Sequence, residues 1–208
     1  YKADANTGGK ADSFKFEITD ADNDKAEATI DITISAATGP TATTKVTVDE
    51  KGLFDSTDNS EIANVTVPGY TIVSGGDGTY GNISLVDGKW VYTLTGTFEH
   101  TGEGTDTAED ADTVTIKVKD AQGNTFNVDV KVDIKDAVPT ISASDNLTAV
   151  SGNESETTGT LSHNFGADGT GSLTVNGNTY TVPTEGNPTV ISGENGTLTV
   201  NVNGTYSY

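Results

Sequence analysis

The sequence has no cysteine, no methionine and no arginine, and each absence narrows the possible functions. Without cysteine, neither a disulfide framework nor thiol chemistry is available. All basic residues are lysines, and they total 11 against 31 acidic residues, which gives a formal net charge of −20. Because phosphate recognition needs clustered cations, we expect neither nucleic acid nor anionic lipid as a partner. The missing methionine leads us to expect a piece of a longer protein.

Long apolar runs and helical patterns are also missing. No run approaches the roughly 18 apolar residues that a membrane helix needs, so membrane insertion is not expected. Catalysis is not expected either. The two histidines, His100 and His163, lack the spacing of a zinc site, and no nucleophile stands beside a base. The sequence therefore predicts a protein that is not an enzyme.

What the sequence does contain is strict alternation of apolar and polar residues. Residues 126–134 read FNVDVKVDI, in which every second residue is apolar, and 14–18 and 114–118 alternate in the same way. Period two is typical of a strand with one buried face. Asp-Gly at 87–88 and Asn-Gly at 176–177 are typical of tight hairpin turns. We predict an all-β chain of antiparallel β-sandwiches.

The sequence also repeats itself. Residues 19–34 read TDADNDKAEATIDITI, and residues 119–134 read KDAQGNTFNVDVKVDI, so Asp20 aligns with Asp120 and Ile34 with Ile134. Self-similarity at this spacing indicates tandem domains, each with its own core.

We place the domain boundaries at proline-containing joints near Gly39 and Val138, because proline cannot donate to a sheet and follows the longest strand each time. The predicted segments are 1–38, the closing hairpin of a preceding repeat; 39–137, a complete β-sandwich repeat; and 138–208, a β-sandwich repeat that lacks its closing hairpin. A rival phase cuts near 95–108 and gives two complete units.

Acidic residues suggest cation sites. Asp20, Asp22 and Asp24 alternate in one short loop, and calcium prefers six to eight oxygen ligands. The alternative is a hairpin turn in which aspartates cap their own backbone, and the second copy keeps only the first of these acids. Other acids lie near predicted domain ends, where stacked repeats would bring them together. These further predicted calcium ligands are Asp49, Glu50, Asp110, Asp112 and Asp136.

Several motifs together resemble a known family. A strand ending in TDADND, a long striped strand, a proline joint and VTVDEKGL at 46–53 resemble the tandem repeats of giant bacterial adhesins exported by type I secretion, the RTX adhesins. NFGADGTGSLTVNG at 164–177 fits the same repeats. The resemblance implies immunoglobulin-like or cadherin-like sandwiches in extended arrays at the bacterial cell surface, outside the cell. It also implies calcium at loops and joints, which stiffens the array.

The expected function is therefore that of structural spacer repeats in a surface adhesin, in contact with neighbouring repeats of the same chain. One alternative is a domain that binds carbohydrate or a host or matrix protein, because Trp90, Tyr92 and Leu94 share one strand face. We expect Trp90 to be buried instead. Another alternative is a unit of an extracellular matrix fibre, biofilm or surface layer. We also expect the apolar face of 1–38 to pack on strands equivalent to 138–208, supplied head to tail by another copy through strand complementation or by other parts of a longer chain.

Overall fold

The computed structural model confirms the predicted all-β fold class. It describes residues 1–41, 43–102, 104, 106–143, 148–152, 156–167 and 169–208. Strands make up 50% of the described residues and helix 2%, and the antiparallel sheets form a sandwich-like arrangement. Among the described residues, no helix has the length and apolarity that crossing a membrane requires.

The strands in the described part of the chain are mostly short. In chain order they are β1 (Ala11–Thr19), β2 (Lys25–Thr33), β3 (Thr44–Asp49), β4 (Ile62–Asn64), β5 (Thr71–Ser74), β6 (Gly76–Asp77), β7 (Gly81–Val86), β8 (Lys89–Leu94), β9 (Thr107–Lys119), β10 (Thr125–Lys135), β11 (Thr140–Ala143), β12 (Thr158–Asn164), β13 (Leu173–Val175), β14 (Asn178–Tyr180), β15 (Thr189–Ser192), β16 (Thr197–Val200) and β17 (Thr205–Ser207). Strands β9 and β10 are the longest of those described, with 13 and 11 residues. A single turn of 3-10 helix, Glu50–Leu53, follows β3.

The strands form sheets of two, four and five members. Two four-stranded sheets have the orders β3-β10-β9-β5 and β4-β8-β7-β6. The C-terminal part of the chain forms a five-stranded sheet, β11-β12-β17-β16-β15, and the small ribbon β13-β14. Strands β1 and β2 pair with each other as a separate ribbon.

The chain forms two compact units, and each is assembled from three segments. The first contains Tyr1–Val46, Ala63–Thr93 and Asp112–Val132, and the second contains Thr47–Ile62, Leu94–Ala111 and Asp133–Tyr208. The long strands β9 and β10 contribute residues to both units. Each unit is discontinuous in the sequence, whereas the predicted segments 1–38, 39–137 and 138–208 are continuous. The predicted boundaries stay a prediction.

The core of the first unit follows the period-two pattern. In β9, Val114, Ile116 and Val118 are buried, while the residues between them face outward or are half-buried. In β8, Tyr92 is fully buried, but Trp90 is only half-buried. Trp90 lies near the start of β8, where its ring packs beside Gly75. Trp90 is therefore less buried than expected, because the fully buried position on its face of β8 comes two residues later, at Tyr92.

Two tight turns form where the sequence predicts them. Asp87 and Gly88 have φ values of 49° and 77°, and Asn176 and Gly177 have φ values of 50° and 78°. Positive φ at both central residues is the geometry that matches the twist of paired strands, and Asn, Asp and Gly adopt it at low cost. The dipeptides therefore fix the β7-β8 and β13-β14 hairpins.

The hairpin β1-β2 differs from its repeat in β9-β10 in one respect. Phe14 pairs with Ile30 and Phe16 with Ala28 across the ribbon. Phe16 is 53% exposed, whereas the aligned Ile116 is 1% exposed. The same strand pattern therefore has a buried apolar face in one copy and an exposed apolar face in the other.

In the second unit, the C-terminal part of the chain forms a partly open, mainly apolar pocket of about 210 Å³. Its lining includes Ile141, Leu161, Phe165, Leu173 and Val200. Side chains of both the five-stranded sheet and the β13-β14 ribbon line this pocket.

Candidate metal centre

Three ionisable side chains from distant parts of the sequence meet inside the second unit. They are Glu50, His100 and Asp136, and each offers one ligand atom within 4.8 Å of the other two. The side chains of Glu50 and His100 are 0% and 1% exposed, and Asp136 is also buried. Charged groups are rarely buried this completely unless they are paired or bind a metal.

Glu50 is positioned by the start of the 3-10 helix. Asp49 caps this helix, because its carboxylate accepts a hydrogen bond from the Lys51 N–H at 2.9 Å. The Phe98 N–H donates to Glu50 Oε1 at 2.6 Å. This bond fixes the carboxylate and turns Oε2 towards His100, since His100 Nε2 lies 3.4 Å from Glu50 Oε2.

His100 is held by an aromatic contact. The Phe98 ring packs edge-on against the imidazole, with centroids 5.0 Å apart and planes at 71°. Both ring nitrogens are buried and find no hydrogen-bond partner among the described residues. A buried polar atom left in this way costs roughly 1–3 kcal/mol. A bound ion would account for one of the two nitrogens, because the ion replaces the missing hydrogen-bond partner of that nitrogen.

Asp136 directly follows β10, and its N–H donates to the Asp106 carbonyl at 2.9 Å. The next residue, Ala137, is also buried, and its carbonyl packs so closely on Gly166 that a Cβ there would overlap it. Gly166 has a φ of +77°, which glycine adopts without strain. The cluster therefore lies immediately before the predicted joint at Val138. The chain is closely packed there, because Ala137 contacts Gly166.

The arrangement suits a structural cation better than a reaction centre. Two carboxylates lie in this buried cluster, and burying carboxylate charge is costly unless the charge is paired, hydrogen-bonded or bound to a cation. A divalent cation would neutralise it. The side chains of Glu50, His100 and Asp136 are almost fully buried, so a substrate would have little access to an ion bound among them.

The exposed loop after β1 brings together a second group of acids, Asp20, Asp22 and Asp24. Here the geometry is that of a hairpin turn. The Asp24 N–H donates to Asp20 Oδ1 at 2.8 Å, and Asn23 has a φ of 75°. Hydrogen bonds from Asp22 and from the Asp24 backbone lower the pKa of Asp20.

The second copy forms the same turn without those acids. The Asn124 N–H donates to Asp120 Oδ1 at 2.8 Å, the same distance as in the first copy, and Gly123 takes the positive φ of Asn23. The turn is therefore specified by the shared aspartate and needs no cation. Calcium at Asp22 and Asp24 stays a prediction.

Two other predicted ligands have different local partners. Asp49 makes an ion pair with Lys135 at 2.7 Å in addition to capping the helix. Asp110 is exposed, and its N–H donates to Asp133 Oδ1 at 2.8 Å. Neither residue belongs to the Glu50–His100–Asp136 cluster.

Asp112 occupies a cradle of donors in the first unit. Its carboxylate accepts hydrogen bonds from the Thr79, Tyr80 and Thr113 N–H groups and from the Tyr92 hydroxyl, at 2.8 to 3.0 Å. Burial alone would raise the pKa of Asp112, but these bonds outweigh it and lower the pKa. Burial and the bond to Asp112 raise the pKa of Tyr92. The Asp112 carboxylate is therefore bound by four hydrogen-bond donors without a metal ion.

His100 is the site residue that the sequence did not reveal. Glu50 and Asp136 are both among the predicted ligands, but His100 carries no local metal-binding spacing. Its loop is long and polar, and only the fold brings it against Glu50. The one available signal was a histidine two residues after an aromatic residue, Phe98, in a loop between two strands.

Comparison of the chain with protein-family models and with curated proteins found no match. The function must therefore be argued from the site and from the repeat.

Proposed function

We propose that the chain consists of non-enzymatic structural repeats that act as spacers in a long extracellular adhesin of a bacterial surface, and that a divalent cation fastens the end of a repeat. The observation that carries this proposal is the buried Glu50–His100–Asp136 cluster. Its three ligands come from the 3-10 helix, from the loop between β8 and β9, and from the chain just after β10. An ion bound there would hold three segments together beside the predicted joint.

The surroundings of the cluster support a mechanical role. A cavity of about 320 Å³ lies in the second unit, and residues on both sides of the predicted joint line it, among them Asp49, Asp136 and Asn164. The Asp49–Lys135 ion pair lies beside the cluster. Neutralising the cluster would reduce the freedom of the chain at this point, which is what a stiff spacer requires.

The alternative of carbohydrate binding through the Trp90 face has less support. Tyr92 is buried and uses its hydroxyl to bind Asp112, so only Trp90 on that strand face is partly accessible. One half-buried aromatic ring offers little area for stacking on a sugar.

Divalent cations are expected to stabilise the protein and to restrict its shape. An ion that binds only the folded state stabilises it by about 2.7 kcal/mol when its concentration is 100 times the Kd. We expect EDTA to lower the Tm and to increase the spread of particle dimensions in solution scattering, and we expect added divalent ions to reverse both changes.

The matched variants are Asp136→Asn, in the cluster, and Asp22→Asn, in the exposed loop. Asp136→Asn should abolish the response to cations, whereas Asp22→Asn should leave it intact. Equal responses in both variants, or no change with EDTA in the unaltered protein, would refute a cation at the cluster.

A further inference from the structure

We infer that the Glu50–His100–Asp136 cluster selects a first-row transition-metal dication such as zinc over calcium. This inference rests on the proposed cation and adds its chemical class. It departs from the expectation of calcium, because the donor set of the buried cluster does not match what calcium prefers.

The imidazole of His100 is the deciding donor. Calcium takes six to eight ligands, and all are oxygens at about 2.3–2.6 Å. Zinc and its neighbours in the first transition row accept imidazole nitrogen together with carboxylate oxygen. Both nitrogens of His100 are buried without a hydrogen-bond partner in the described part of the chain. The ring can therefore give a nitrogen to an ion without breaking a hydrogen bond.

The spacing of the donors fits a small coordination sphere. In a tetrahedral zinc site with bonds of about 2.1 Å, neighbouring ligand atoms lie about 3.4 Å apart. His100 Nε2 and Glu50 Oε2 are 3.4 Å apart, and the third ligand atom, from Asp136, lies within 4.8 Å of both. After a small movement of Asp136, the three side chains would occupy three of the four positions around a tetrahedral ion.

The ligands are also held from outside, as metal ligands commonly are. The Phe98 N–H fixes Oε1 of Glu50, and the Phe98 ring orients His100. One residue therefore positions two of the three ligands. The Asp106 carbonyl holds the backbone of Asp136 by accepting a hydrogen bond from the Asp136 N–H.

The test compares zinc and calcium on the chelator-stripped protein. We expect micromolar zinc to raise the Tm by at least about 5 °C, and the same concentration of calcium to leave it unchanged, because only zinc gains the imidazole ligand. Cobalt(II) serves as a spectroscopic probe: bound at the cluster in place of zinc, it should give visible absorption with a stoichiometry of one per chain.

The matched variants use the two histidines of the chain. His163 is partly exposed on β12, so His163→Ala reports adventitious surface binding. We expect His163→Ala to keep the zinc shift and the cobalt spectrum, and His100→Ala to lose both. His100→Asp replaces nitrogen by oxygen and should exchange the zinc response for a calcium response. This gain is a readout that a variant with a merely damaged fold would not show.

The outcomes separate this inference from the proposal on which it rests. If calcium raises the Tm of the unaltered protein and of His100→Ala alike, and zinc does not, the transition-metal inference is wrong while a cation-fastened repeat stands. If no divalent ion changes the Tm and cobalt gives no spectrum, both fall. Loss of the cobalt spectrum in His163→Ala with its retention in His100→Ala would also overturn the inference.

Discussion

Replacing Asp112 by alanine is expected to lower the free energy of unfolding by roughly 3–5 kcal/mol, because the change leaves buried donors without an acceptor. The Asp112 carboxylate is the common acceptor of three backbone N–H groups and of the Tyr92 hydroxyl. Tyr92 is fully buried, so its hydroxyl has no water to replace the lost bond. Denaturant unfolding followed by circular dichroism measures the effect.

Two substitutions sharpen this test. Glu109→Ala removes an exposed carboxylate from the same strand and should change stability by less than about 0.5 kcal/mol. Gly78→Ala should also be strongly destabilising, because a Cβ at Gly78 would overlap the Asp112 carboxylate. An Asp112→Ala variant as stable as Glu109→Ala would show that the cradle contributes nothing.

The pH dependence follows from the lowered pKa of Asp112. A carboxyl whose pKa is lower in the folded state contributes stability above its unfolded pKa, and it loses that contribution as the pH falls through the folded pKa. The difference in stability between the unaltered protein and Asp112→Asn should therefore be constant near neutral pH. It should shrink below about pH 4, where the unfolded chain begins to take up the proton.

The cradle shows where local pattern fails as a guide. The stretch GGDGTY at 75–80 holds three glycines, and Asp112 was predicted as a calcium ligand because it lies near a predicted domain end. In the fold, the glycines instead let the backbone of Thr79 and Tyr80 approach one carboxylate. Calcium at Asp112 stays a prediction, and the pairing of Asp112 with residues 75–80 depends on contacts between segments that are distant in the sequence.

The same limit applies to the cluster at Glu50. Alternation predicted the strands, and Asp-Gly and Asn-Gly predicted two turns, because these signals act between near neighbours. Glu50 and Asp136 were singled out because they lie near predicted domain ends. His100 joins them only through the packing of Phe98, which no spacing encodes. Local structure was therefore readable from the sequence, and the third ligand was not.

The exposed face of the β1-β2 hairpin is expected to make the protein self-associate. Phe14, Phe16, Ile18 and Ile30 lie on this face and are largely exposed. An exposed apolar patch on a two-stranded ribbon is a typical interaction surface, and such a ribbon alone is marginally stable in water. In the aligned hairpin β9-β10, the same face is buried in a sandwich.

The expected partner is a second copy of the chain, in head-to-tail order. The C-terminal region of each copy has a partly open apolar pocket lined by Ile141, Leu161 and Phe165, into which an apolar side chain of the hairpin would fit. Both surfaces are mainly apolar in a molecule with a net charge of −20, so their association brings together regions where the repulsion between copies is weakest. Addition of strands to a partner sheet is an established recognition mode.

Sedimentation across a range of concentrations measures this association. We expect the mean mass of the unaltered protein to rise with concentration, and Phe16→Lys to remain monomeric, because a buried lysine without a partner opposes docking. Thr29→Lys is the matched control, since Thr29 pairs with Lys15 on the opposite face of the ribbon. It adds the same charge and should leave association unchanged. The chain has no native cysteine, so the double variant Phe16→Cys with Leu161→Cys should form disulfide-linked multimers on oxidation. A constant monomer mass at every concentration, with no linked multimers, would refute a head-to-tail contact through this face.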